Sequence, residues 1–359
     1  MKPVERVHLL QERIAEGPFD AVWVHPGQDF RYLTGLAPIS LERLFGFVVP
    51  PRGAARLVVP LLSAEECSAI EKCELFTWTD DEGPAAAVGG SLEGIASLGV
   101  SASMPLWALK SIRDAVPGIE AAIEDSYVAA LREGKDEGEI DALRTASKAT
   151  DGVVDWVGTL DLYDLTELEL ASQIMQRFLQ LGMEPGPEPI VSTGANAAMP
   201  HYTGGQVRIS AADPLLLDIG GRVDGYWSDI TRVYFPEPLD DDIRRAYDAV
   251  VEAHVAACEA AGPGVPCQEV DRAARAVIER AGLGDGFIHR TGHGLGLEVH
   301  EPPYLRAGNR SPLEAGHVVT IEPGVYEVGR FGVRYENVVV VTEDGVDSLN
   351  ESPHLHRLP

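Results

Sequence analysis

"VVTIEPGVYEVGRFGVRYENVVVV", residues 318–341, decides the fold: an apolar run delivers Glu322, glycines reverse the chain, and a second apolar run returns Glu336. Two β-rich runs around a glycine-bearing turn read as an antiparallel hairpin. Pairing Glu322 with Glu336 centres the reversal on Gly329. "LLLDIGGRVDGYWSDITRVYF", residues 215–235, repeats the arrangement with Asp218 and Asp229. Pairing these two puts the reversal between Val223 and Asp224, beside an Asp224-Gly225 turn signal, and sets the carboxylates across from each other.

An aspartate at the end of "LLLD" is costly to bury unless it is paired, protonated or bound to a cation. For Asp218 alone, capping a turn is an equal explanation. The second hairpin weakens it by repeating the placement. Four carboxylates then concentrate negative charge that no nearby lysine run offsets. Oxygen donors with an imidazole suit a pair of divalent ions better than one structural zinc, which prefers four nitrogen and sulfur ligands. Two ions about 3.5–4 Å apart activate a bridging water and polarise a carbonyl or phosphoryl oxygen. Metal-assisted hydrolysis is therefore the leading reaction class.

The imidazoles come from "HRTGHGLGLEVHEPP", residues 289–303, with His289, His293 and His300. His289 and His293 have the i, i+4 spacing of two ligands on one helix face, but Gly292, Gly294 and Gly296 argue against a stable helix. Glycines here let the backbone pass close to ions and substrate.

Composition narrows the class further. A length of 359 residues suits two domains. The net charge of −27 makes nucleic acid and anionic membrane surfaces unlike partners. Cys67, Cys73, Cys258 and Cys267 form no CxxC pair and read as reduced thiols. With no signal-like N-terminus and no apolar stretch of membrane-spanning length, the expected location is cytoplasmic. Residues 1–125 mix a helix carrying Val4, Val7, Leu10 and Ile14 with short β-rich runs, and read as an α/β domain. Helical periodicity takes over near residue 126, so the second domain is placed at 126–359. It opens with helices, one of them capped by Thr166 with Glu169, and ends in the hairpins.

Five motifs, "LLLDIG", "SDITR", "TGHGLG", "TIEPG" and "VRYEN", occur in that order over residues 215–337. Together they resemble the pita-bread metallopeptidases, which include Xaa-Pro aminopeptidase, prolidase (Xaa-Pro dipeptidase), methionine aminopeptidase and creatinase. The resemblance implies an α+β pita-bread catalytic domain behind a creatinase-like α/β N-terminal domain. It implies two divalent metal ions, Mn²⁺ or else Co²⁺ or Zn²⁺, on Asp218, Asp229, His293, Glu322 and Glu336, with Asp229 and Glu336 bridging. His201 in "NAAMPHY", His289, His300 and Arg334 are similar to the substrate-side set of the proline peptidases. Glu322 would shuttle a proton, His201 and His300 would stabilise the intermediate, and Arg334 would hold neighbouring groups or substrate. Methionine aminopeptidase lacks the long N-terminal domain, and creatinase does not keep the ligand set. Asn337 departs from the family's frequent aspartate after the last ligand.

The implied reaction is hydrolysis of the Xaa-Pro bond, whose tertiary amide has no N–H. Prolidase on dipeptides is the first reading, Xaa-Pro aminopeptidase on longer peptides the second, and a non-catalytic metal-binding module of the same fold the third. A dipeptidase needs a cation for the substrate carboxylate; Arg43, or Arg31 before it, is the candidate, from the same chain or from a partner subunit, because relatives with this N-terminal domain are commonly homodimers. The other six histidines, His8, His25, His254, His317, His354 and His356, are read as non-catalytic.

Overall fold

The computed structural model describes residues 1–358. The chain forms two compact units that divide between Arg132 and Glu133. The boundary read from the sequence, at residue 126, falls inside the first unit. Helix Ser126–Glu133 is held there: Val128 is buried, the Tyr32 hydroxyl donates to the Leu131 carbonyl at 2.8 Å, and Arg132 pairs with Asp29 at 2.7 Å.

The first unit is an α/β layer. Its six-stranded sheet runs in the order Cys73–Trp78, Ala55–Pro60, Gly46–Val49, Ala21–Val24, Ser97–Val100 and Glu120–Ile123. Leu10 and Ile14 of helix Pro3–Glu16 are buried, as the helical spacing requires. Trp23 is fully buried, and a Cβ on Gly46 would lie 1.9 Å from its ring. Only glycine lets that strand pass beneath the indole.

In the second unit, strands Ile190–Thr193, Leu215–Ile219, Ile230–Phe235 and His356–Arg357 form one sheet. Strands Glu301–Leu305, Gly292–Gly294, Val318–Ile321, Asn337–Val341 and Val346–Ser348 form another, and Gly324–Glu327 pairs with Phe331–Arg334. Alternation along each strand splits the core in two. Leu215, Leu217 and Ile219 pack on helices Glu137–Val157 and Glu167–Gln180; Leu216 and Val233 pack with helices Asp241–Ala260 and Cys267–Arg280. Asp218 shares the parity of Leu216 and projects on that second face. Capping boxes at Asp136 with Glu139 and at Thr166 with Glu169 start the first two helices. No helix among the described residues is long and apolar enough to cross a membrane.

Candidate metal centre

The first hairpin corrects the register read from the sequence. Asp218 pairs with Thr231, not Asp229, and Ile219 pairs with Ile230. Asp224 at φ 52° and Gly225 at φ 90° make the two-residue turn, both in the left-handed region, so the reversal lies between them. Gly220 and Gly221 are not turn residues. A Cβ on Gly220 would meet the Ser228 carbonyl oxygen at 2.2 Å, so glycine there lets the segment bearing Asp229 come close. Asp218 and Asp229 still share a face, as diagonal neighbours.

The second hairpin has the expected register, with Ile321 opposite Asn337 and Gly324 opposite Arg334, which centres it on Gly329. The ladder opens between these pairs, where Glu322 and Glu336 sit. His293 arrives on strand Gly292–Gly294. A Cβ on Gly292 would be 1.9 Å from the Thr320 carbonyl oxygen and one on Gly294 2.2 Å from that of Pro302, so these glycines permit the close backbone passage.

Donor atoms of Asp229, His293 and Glu336 lie within 4.8 Å of one another, all buried. His293 Nε2 is 3.3 Å from Glu322 Oε1 and 3.8 Å from Asp229 Oδ2. Its Nδ1 is 3.0 Å from the Gly294 carbonyl, which takes the ring proton and leaves the Nε2 lone pair aimed at carboxylates. Burial, then the neighbouring His300, holds the imidazole well below its ordinary value and therefore neutral. Burial, then Glu336, Asp218 and Glu322, raises the Asp229 carboxyl far above the carboxylate range; burial, then Glu322 and Asp218, does the same to Glu336. Burial pushes Glu322 up to about 7 against the pull of Arg334. A lone pair and crowded acids facing one another are a donor set that a cation resolves.

Hydrogen bonds brace the cluster. Arg334 Nη2 donates to Asp218 Oδ2 at 2.5 Å, its Nε to Thr231 Oγ1 at 2.9 Å and its Nη1 to the Tyr326 hydroxyl at 2.7 Å. Thr231 Oγ1 in turn donates to Glu336 Oε2 at 2.6 Å. His289 Nε2 is 2.9 Å from the Tyr326 hydroxyl, and burial, then Arg334, pushes its ring down to about 3. His300 lies against His293 with ring centroids 4.1 Å apart. The hairpin tip before it is fixed by a buried pair, Lys135 Nζ to Glu301 Oε1 at 2.8 Å, in space that a Cβ on Gly296 would invade. Asn337 is also engaged: its Oδ1 accepts from the buried Arg232 at 2.8 Å, and Arg232 donates to the Glu336 carbonyl at 2.6 Å.

One cavity of about 570 Å³ is lined by His201, Asp218, Asp229, His289, His293, His300, Glu322, Arg334 and Glu336. The ligand and substrate-side candidates of the second domain are thus brought together, and none of the six histidines set aside lines the cavity. Arg43 is not among the lining residues. It sits in the first unit, where Asp80 takes its guanidinium through two hydrogen bonds of 3.0 and 2.9 Å and Glu42 takes a third at 2.9 Å. Sequence reasoning passed over Tyr326, Thr231 and Arg290. Arg290 stood inside the histidine run, and a search for charge rather than metal-ligand spacing would have found it.

The chain matches two family models: metallopeptidase family M24 over residues 141–343, and the creatinase/prolidase N-terminal domain over residues 6–133. It is 37% identical to the probable dipeptidase PepE of Mycobacterium tuberculosis over 97% of this chain and 94% of that one. The solved structure of a prolidase from Thermococcus sibiricus superposes with a TM-score of 0.94 at 32% identity, covering 99% of each chain. A dipeptidase structure from Pyrococcus horikoshii gives 0.91 at 36%, covering 100% of each. The fold is therefore a creatinase-type α/β domain followed by an α+β pita-bread domain.

Proposed function

The chain belongs to metallopeptidase family M24 and is a metal-dependent hydrolase; from that premise we propose that it cleaves the Xaa-Pro bond of dipeptides, as a prolidase, and works as a cytoplasmic homodimer. The observation that carries the reading is the convergence of four carboxylates and the His293 lone pair in a cavity that also holds three further imidazoles. Asp218, Asp229, His293, Glu322 and Glu336 would hold two divalent ions, with Asp229 and Glu336 the buried acids beside His293. The oxygen-rich set suits Mn²⁺, with Co²⁺ or Zn²⁺ as substitutes. Such ions supply an activated water and a Lewis acid for the scissile carbonyl.

The remaining work falls to side chains. Glu322, on the cavity wall with its Oε1 3.3 Å from His293 Nε2, is the carboxylate placed to accept the proton of the attacking water and pass it to the prolyl nitrogen, which must be protonated to leave. His201 and His300, on the cavity wall, would donate to the oxygen that gains charge as the carbonyl becomes tetrahedral. Arg334, saturated by Asp218, Thr231 and Tyr326, positions Asp218 and, through Tyr326, His289. Pro187, Pro189, Pro200 and Trp227 give the wall apolar surface suited to a pyrrolidine ring. The names of the relatives support a dipeptide over a longer substrate.

The test is hydrolysis of Ala-Pro and Ala-Pro-Ala by the Mn²⁺-loaded protein, with and without chelator, and by Glu322→Ala. Ala-Pro is cleaved, Ala-Pro-Ala much more slowly, and both chelation and the substitution abolish turnover. Preference for the tripeptide makes the protein an aminopeptidase, and no cleavage of either removes the proline reading.

A further inference from the structure

Two guanidiniums line the cavity, and their surroundings differ. Arg334 is buried and all three of its donor directions end on protein acceptors. Arg290 is half-buried, and its guanidinium makes no hydrogen bond or ion pair among the described residues. Its Cζ lies 4.8 Å from the centroid of the Tyr304 ring, which takes one face of the fork and leaves the N–H edges unused. It stands on the same cavity wall as His300 and Glu322. A planar cation, stacked on one side and without an acid partner, standing within range of the catalytic groups, is a receptor for a carboxylate.

We propose that Arg290, oriented by Tyr304, binds the carboxylate that follows proline and thereby restricts the enzyme to dipeptides. The assignment rests on the Xaa-Pro reading above and gives it a specificity residue. It replaces Arg43, whose guanidinium Asp80 and Glu42 already occupy. A dipeptide ends in an anion one residue past the cut, whereas a longer peptide or an amide places a neutral group there. The fork gains a charge-assisted, bidentate contact from the first and none from the others.

The experiment compares kcat/KM for Ala-Pro and Ala-Pro amide in the Mn²⁺-loaded wild type, R290Q and R290K. Wild type prefers the acid by about ten- to a hundredfold, the size of a lost charge-assisted contact. R290Q brings that ratio close to one, chiefly through KM for the acid, and R290K, which keeps the charge without the fork, gives an intermediate ratio. Because the ratio compares two substrates on the same protein, a general loss of activity cancels, and R290K provides the graded response if R290Q folds poorly. Wild-type discrimination that survives unchanged in both variants overturns the role of Arg290 alone. Equal cleavage of acid and amide by the wild type overturns the dipeptide restriction with it, and absence of Ala-Pro cleavage overturns the parent reading.

Discussion

The two carboxylate-bearing hairpins solve the same problem differently. In Leu215–Phe235 the ladder stays closed at Asp218, which faces Thr231, and Asp229 is offset by two residues. In Val318–Val341 the acids keep a common register, and the ladder opens to let Glu322 and Glu336 turn into the centre. The offset has a use. It places Thr231 opposite Asp218, where its hydroxyl accepts from Arg334 of the second hairpin and donates to Glu336. Each hairpin thus presents one buried acid, Asp229 or Glu336, and one half-buried acid facing the cavity, Asp218 or Glu322. The braces between hairpins run through the staggered one.

The largest effect should follow from breaking the buried pair. Asp229→Asn and Glu336→Gln should each lower kcat/KM for Ala-Pro by at least about 10³-fold, because each removes a charged donor from the set that would hold the ions. Metal analysis of the purified variants should show less than the wild-type content; full metal content with full activity would remove these residues from the ligand set. Cutting the cross-brace is milder. Thr231→Val leaves both hairpins their acids but frees Glu336 and Arg334, and should weaken Mn²⁺ binding by about 10- to 100-fold, the usual scale for groups that orient ligands. Unchanged Mn²⁺ affinity would mean that the stagger has no functional consequence.

Charge crowding gives a third probe. Raised folded-state values at Asp229, Glu336 and Glu322 mean that the folded chain holds protons the unfolded chain has released. For Glu322 this contribution to stability is complete below the ordinary value of 4.5 and is lost as pH rises through about 7. Chelator-stripped protein should therefore lose melting temperature from these groups across that window. Added Mn²⁺ should raise the melting temperature more at about pH 8 than at about pH 5, since protons compete for the ligands. An equal rise at both would contradict the crowding. The smallest effect belongs to the turns: Gly225→Ala and Gly329→Ala place a Cβ at φ 90° and 78°, costing about 1–2 kcal/mol each. Calorimetry should find both destabilised, and a neutral Gly225→Ala would question the two-residue turn that sets the stagger.

Both hairpins were legible because apolar runs, carboxylates and turn residues recur in order. The second was also legible in register, because Gly329 sits midway between its acids. The first misled by two residues because it contains four turn-prone positions, and two of them, Gly220 and Gly221, serve close packing instead. A Cβ on Gly221 would meet Met183 and Phe178 at 3.0 Å, contacts invisible to any local pattern. The partner of Arg43 was equally illegible, since Asp80 lies 37 residues away. The ligand candidates were readable from residue type, whereas the bracing by Tyr326 and Thr231 and the unpaired edge of Arg290 exist only once distant strands meet around the cavity.

The most direct measurement follows Ala-Pro hydrolysis while chelator-stripped protein is titrated with Mn²⁺. The account predicts no turnover at the start and a rate that rises to a plateau as two ions bind per chain. Turnover before any ion is added, or none at any loading with Mn²⁺, Co²⁺ or Zn²⁺, would contradict it.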